Sequence, residues 1–187
     1  RNRKHFYTMS EQQAQRLSSD AGWMNKLRNA LDLNLFELRF QPINCIDSGE
    51  TTHHEVLLRL KTTDGTLANP DAFLPAAVRF GLMSEIDLWV IRNVAAAYSD
   101  YVEEYSGPLK FSVNLSANAF ENEDLAGLVK ESFDTFNVPP KHMIFEITES
   151  LAIRRPAHVE QQITALRKMG CEIALDDFGT GYSSFSY

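Results

Sequence analysis

The chain has 187 residues, 44% of them hydrophobic, which is long enough for one sizeable core and too short for two comfortable ones. Its 18 basic and 25 acidic residues leave a net charge of -7, so nothing favours binding along a nucleic-acid polymer or an anionic membrane, and any phosphate ligand needs local positive charge. Two distant cysteines, Cys45 and Cys171, exclude a disulfide framework and a zinc site, and no apolar stretch approaches the roughly 18 residues of a membrane span.

The polar N-terminus lacks the apolar core of a signal peptide, and the cysteine usage fits a reducing cytoplasm. Residues 1–9 read as a linker or the tail of a preceding domain, and 10–187 as one domain.

Ser10 with Gln13 has the form of a capping box, and Asp20 precedes Trp23, Leu27 and Leu31 at helical spacing. One interrupted helical segment over 10–33 is predicted. Phe36, Leu38 and Phe40 then alternate with polar residues, and after Asp47-Ser48-Gly49 a second alternating run covers 54–60. The connection is too short for a parallel crossover, so the two strands form an antiparallel hairpin. A turn centred near Ser48 places Gln41 opposite Glu55.

Asn69-Pro70 reads as a cap and first helical position, Gly81 as a C-terminal stop, and the apolar spacing from Ile86 to Tyr98 as the next helix. A strand over 109–115 follows. Thereafter helix 124–136, strand 143–148, helix 157–169 with Gly170 as its stop, and strand 172–176 alternate regularly. That order means parallel βα units and an α/β fold.

Splitting each strand by its period of two separates an apolar face from a polar one. The polar face collects Glu55, Leu57 and Arg59 in the second strand, Asn114 in the third, Glu146 in the fourth and Asp176 in the fifth, with Asp177 directly after. A single inward polar residue ordinarily meets a hydrogen-bond partner and means little. Several carboxylates converging on one barrel axis, however, repel one another unless a cation lies between them. All the donors are oxygens, which favours a hard ion, Mg²⁺ or Mn²⁺, and adjacent Asp176 and Asp177 suit two ions. Arg59 is a planar fork fit for phosphate oxygen, or else for a salt bridge to an inner carboxylate.

The segment 177–184 is a glycine-bearing loop at a strand end, where α/β barrels keep their chemistry. It is expected to close over the metal site. Asp177-Phe178-Gly179 lacks the companion motifs of a kinase, and Gly179-Thr180-Gly181 lacks the lysine of a phosphate-binding P-loop.

Taken in order, Phe40-Gln41-Pro42-Ile43, Glu55-Val56-Leu57-Leu58-Arg59, Val113-Asn114-Leu115-Ser116, Glu146-Ile147-Thr148-Glu149-Ser150 and Asp176-Asp177-Phe178-Gly179-Thr180-Gly181 resemble the EAL-domain family of bacterial cyclic di-GMP phosphodiesterases. The resemblance implies a TIM-type (β/α) barrel with an antiparallel first strand, and a hydrolase that opens cyclic di-GMP to linear pGpG in second-messenger signalling. It implies metal donors at Glu55, Asn114, Glu146, Asp176 and Asp177. It also implies dinucleotide contacts at Gln41, Leu57 and Arg59, and a loop anchor at Glu149.

Valine at 56 replaces the family's alanine, Leu60 its tryptophan and Val78 a common glutamate. The chain also stops before the family's later strands, so the barrel is expected to be incomplete and the isolated piece inactive. Residues 1–7 look like the tail of a GGDEF domain, which implies a linked GGDEF or sensor domain, while a homodimer is compatible with the family. The alternative reading is a catalytically silent cyclic di-GMP receptor, against which the intact donor set argues. A third is an interaction scaffold with neither ligand nor metal.

Overall fold

The computed structural model describes residues 11–63, 65–104, 109–153 and 157–177. Ser10 of the expected capping box, the 1–9 tail and the loop beyond Asp177 lie outside them. Helix α1 (Glu11–Asp32) runs without the break expected of it. Serine and aspartate in a helix interior cost about 0.5 kcal/mol each relative to alanine, which tertiary packing routinely overrides. Here Leu27 and Ala30 are fully buried.

Strands β1 (Phe36–Asn44) and β2 (Thr51–Lys61) form the antiparallel hairpin, with Gln41 directly opposite Glu55. A two-residue strand, β3 (Leu67–Ala68), folds back onto Leu60 and Lys61, giving six strands among the described residues where five were expected. Two residues are too few to show a period.

Helix α2 (Pro70–Arg79) starts with proline in its first turn, as expected, although the Asn69 side chain makes no cap hydrogen bond. Its end closes at Gly81, whose φ of +66° is a left-handed conformation that suits glycine. Leu82 N–H donates to the Ala77 carbonyl at 2.9 Å and Gly81 N–H to that of Val78 at 3.2 Å, which satisfies carbonyls the helix would otherwise leave open.

Helix α3 (Met83–Glu104) buries Ile86, Ile91, Val94, Ala95 and Tyr98. Strand β4 (Phe111–Asn114) is shorter than the expected 109–115. At the start of α4 (Leu125–Phe136) the Asp124 carboxylate accepts from Gly127 N–H, and a Cβ at 127 would lie 2.4 Å from that carboxylate. Strand β5 (Met143–Thr148), helix α6 (Ala157–Met169) and strand β6 (Glu172–Asp176) match the expected bounds. A short helix, α5 (Glu149–Ile153), follows β5 directly.

The sheet order is β1-β2-β4-β5-β6, with β3 paired to β2, and β2, β4, β5 and β6 all run parallel. This is α/β architecture with a mixed sheet. The outward residues Val56, Leu60, Phe111, Val113, Phe145 and Ile147 are buried in the core. Leu175, expected on the same face, is 50% exposed, because β6 has a strand neighbour on one side only among the described residues. Phe111 is the aromatic hub: its ring centre lies 5.2 Å from Phe40, 5.9 Å from Tyr101 and 6.4 Å from Tyr98.

Candidate active site

Parallel strands end at one rim of the sheet, and the polar faces of four of them meet there. Ladder pairing sets Asn114 beside Glu146 and Thr148 beside Asp176. The side chains reach across as well: Asn114 Nδ2 donates to Glu55 Oε1 at 3.3 Å. A cavity of about 480 Å³ opens at this rim, walled by Asn114, Glu146, Thr148, Asp176 and Asp177 on its polar side and by Leu57, Leu74 and Met83 on its apolar side.

Glu146 is half-buried, and burial raises its pKa above the ordinary carboxylate range; the Glu55 and Asp176 carboxylates push it further up. Ser112 and His53 pull the other way. The fully buried Ser112 hydroxyl lies close enough to the Glu146 carboxylate to lower its proton affinity, though without a hydrogen bond of normal geometry. Glu146 therefore senses a carboxylate on each of two other strands. Among the described residues, no three His, Cys, Asp or Glu side chains are gathered tightly enough to hold a metal ion as placed. The oxygen-only donors and their mutual repulsion still fit a hard divalent cation.

Asp177 follows β6 with φ +56°, a conformation that aspartate tolerates better than most residues, and its N–H donates to Asp176 Oδ1 at 2.8 Å. Gln41 is exposed and level with Glu55. Arg59 is partly buried, and its Nη1 donates to the Leu58 carbonyl at 2.8 Å. It makes no ion pair with a described residue, which removes the salt-bridge alternative there. Glu149 is buried at the first position of α5.

Asp87 is the wall residue that the sequence reading missed. It lies on α3, lines the same cavity, is 5% exposed, and accepts from Ser116 Oγ at 2.5 Å. Burial pushes its pKa up to about 7, against which the hydrogen bonds from Ser116 act only partly. The signal was present: 87, 90, 91 and 94 share one helical stripe, and the other three are Val90, Ile91 and Val94.

The raised pKa has a measurable result. Between the unfolded value of 3.8 and about 7, the folded form holds the proton that the unfolded form has lost, so this group's contribution to stability falls as pH rises. Asp87→Asn is therefore expected to gain thermal stability over the parent at pH 8 and to gain markedly less at pH 5. Melting followed by circular dichroism at both pH values checks this, and an equal gap at both would refute it.

The rim site and the mixed sheet define an α/β barrel of the TIM type, in part. Compared with known proteins, residues 24–187 match the model of the EAL domain. The chain belongs to the EAL-domain family. It is 35% identical over 170 residues to "Cyclic di-GMP phosphodiesterase PdeF" of Escherichia coli K12, covering 91% of this chain and 22% of that protein. It is 33% identical over 164 residues to "Bifunctional diguanylate cyclase/cyclic di-GMP phosphodiesterase MucR" of Pseudomonas aeruginosa, covering 88% and 24%. The solved structure "PaMucR Phosphodiesterase, c-di-GMP complex" superposes with a TM-score of 0.80 at 32% identity, over 87% of this chain and 66% of that one. The chain thus spans under a quarter of the length of these curated relatives. Among the described residues no helix is long and apolar enough to cross a membrane.

Proposed function

We propose that the protein hydrolyses one phosphodiester of cyclic di-GMP to give linear pGpG, with two Mg²⁺ or Mn²⁺ ions, as part of bacterial second-messenger signalling in the cytoplasm. The observation that carries this reading is Glu146, a half-buried carboxyl whose proton affinity is raised by burial and by Glu55 and Asp176. Glu55, Asn114, Glu146 and Asp176 would hold the ions, with Asp177 on the second. When bound, such ions supply positive charge at the phosphoryl oxygens and lower the pKa of the attacking water.

The chain's own residues do the rest. Asn114 turns its amide nitrogen to Glu55 at 3.3 Å, which leaves its carbonyl oxygen for a cation. Leu57 forms part of the apolar wall that limits water at the site. Gln41 and Arg59 would bind the dinucleotide, and Glu149 would anchor the loop after Asp177. The names of the relatives above support the substrate, and that of MucR supports a covalently linked cyclase-type or other sensor domain.

Arg59 carries a specific expectation. Because among the described residues its guanidinium is spent on one backbone carbonyl, Arg59→Ala should raise KM roughly 10- to 100-fold while kcat stays within about threefold, the loss of a charge-assisted contact made equally in ground and transition states. Steady-state kinetics separates the two constants, and a fall in kcat alone would contradict the assignment. The function itself is tested by product analysis of the full-length protein with cyclic di-GMP and Mn²⁺. Appearance of pGpG is expected, and its absence would overturn the proposal.

A further inference from the structure

Ser116 stands at the entrance of the 3₁₀ turn Ala117–Glu121 with extended backbone angles, φ -72° and ψ 160°, the place where a serine hydroxyl usually caps the turn. Its hydroxyl makes no such cap. It donates instead to Asp87 on α3, and Ser116 also offers that carboxylate its backbone N–H. The carboxylate that receives both is more than nine-tenths buried and borders the cavity beside Asn114. A well-packed apolar side chain at such a position is commonly as stable as a buried ionisable one or more so, so stability alone does not account for Asp87.

From this geometry we infer that Asp87 is a positioning residue, which through Ser116 fixes the chain just beyond β4 and so aims the Asn114 side chain at the cation site. Two anchors follow directly on Asn114. At Leu115 the N–H donates to the Glu146 carbonyl at 2.8 Å, tying the end of β4 to β5. At Ser116 the Asp87 contact ties the chain to α3. With both in place the backbone at 114 cannot pivot, and the amide keeps its orientation toward Glu55. Partners of metal ligands and of their immediate surroundings act in this way on affinity, typically by 10- to 100-fold.

The inference rests on the metal-site reading above, and one experiment separates the two. Mn²⁺ is titrated calorimetrically into the full-length protein without dinucleotide, for the parent, Ser116→Ala, Asp87→Ala, the double variant and Asp87→Asn. Expected are a Kd raised about 10-fold in either alanine variant, a double variant no weaker than the worse single one, and Asp87→Asn within about threefold of the parent, because its amide oxygen still accepts the hydroxyl. Ser116→Ala removes one oxygen from a site outside the strands, so it reads the effect even if Asp87→Ala fails to fold. An unchanged Kd in Ser116→Ala, or additive losses in the double variant, would overturn the positioning role while leaving the metal site standing. No Mn²⁺ binding by the parent would remove both.

Discussion

Asp176→Ala and Glu55→Ala are each expected to lower turnover of cyclic di-GMP by about 10³-fold or more at saturating Mn²⁺, since on the proposed function each would remove a charge that holds the ions stabilising the transition state. The fold should barely notice. Asp176 is exposed at the end of β6, and its hydrogen bond is to the neighbouring Asp177 N–H. Both carboxylates raise the proton affinity of Glu146, so deleting either relieves a repulsion in the metal-free protein. An unaltered or slightly raised melting temperature together with lost turnover is therefore the expected pair of results. Rates that stay within a few-fold of the parent would remove these residues from the metal site.

The second large effect concerns the core that holds the strands in place. Phe111 opens β4, is fully buried, and meets the rings of Phe40, Tyr98, Tyr101 and His54. Phe111→Ala would remove the ring on which a hairpin strand, a helix and a parallel strand all converge, leaving a cavity that rigid neighbours cannot fill. Loss of about 3–5 kcal/mol is expected, enough to unfold much of a marginally stable domain. Urea unfolding monitored by fluorescence gives the value, and a loss below about 1 kcal/mol would show that the neighbouring rings collapse into the space.

The strands were legible because half-buried strands write their orientation into the sequence. The alternation through Glu55, Leu57 and Arg59 locates β2, and the symmetry of a short turn about Ser48 sets Gln41 opposite Glu55, the pairing that the hairpin adopts. The parallel units beyond Asp124 were bounded almost to the residue, since aspartate and glycine punctuate them. What escaped had no period to read. Leu67 and Ala68 are too few, and the five residues of α5 follow β5 without a loop. Asp87 escaped for another reason. Its role lies in a contact with Ser116, 29 positions away, and only the packing of α3 against the end of β4 brings the two together.

Of the candidate site, which side chains face inward could be read from the sequence, whereas their spacing could not. Alternation says which way a side chain leaves the strand and nothing about how far it reaches. The raised proton affinity of Glu146 comes from burial and from carboxylates on neighbouring strands, and the bridge from Asn114 to Glu55 joins residues 59 positions apart, so both depend on how the strands assemble.

The reversed direction of β1 has its own effect on how the domain can be driven. In a barrel whose first strand ran with the others, the helix before it would deliver the chain to the far rim. Here β1 begins at Phe36, level with Leu60 near the end of β2, and Lys61 N–H donates to the Leu35 carbonyl at 2.9 Å. The end of α1 is thus stitched to the mouth that contains the acidic side chains. Whatever displaces that helix therefore bears on the end of the sheet where Asn114, Glu146 and Asp176 lie, and not on the opposite end.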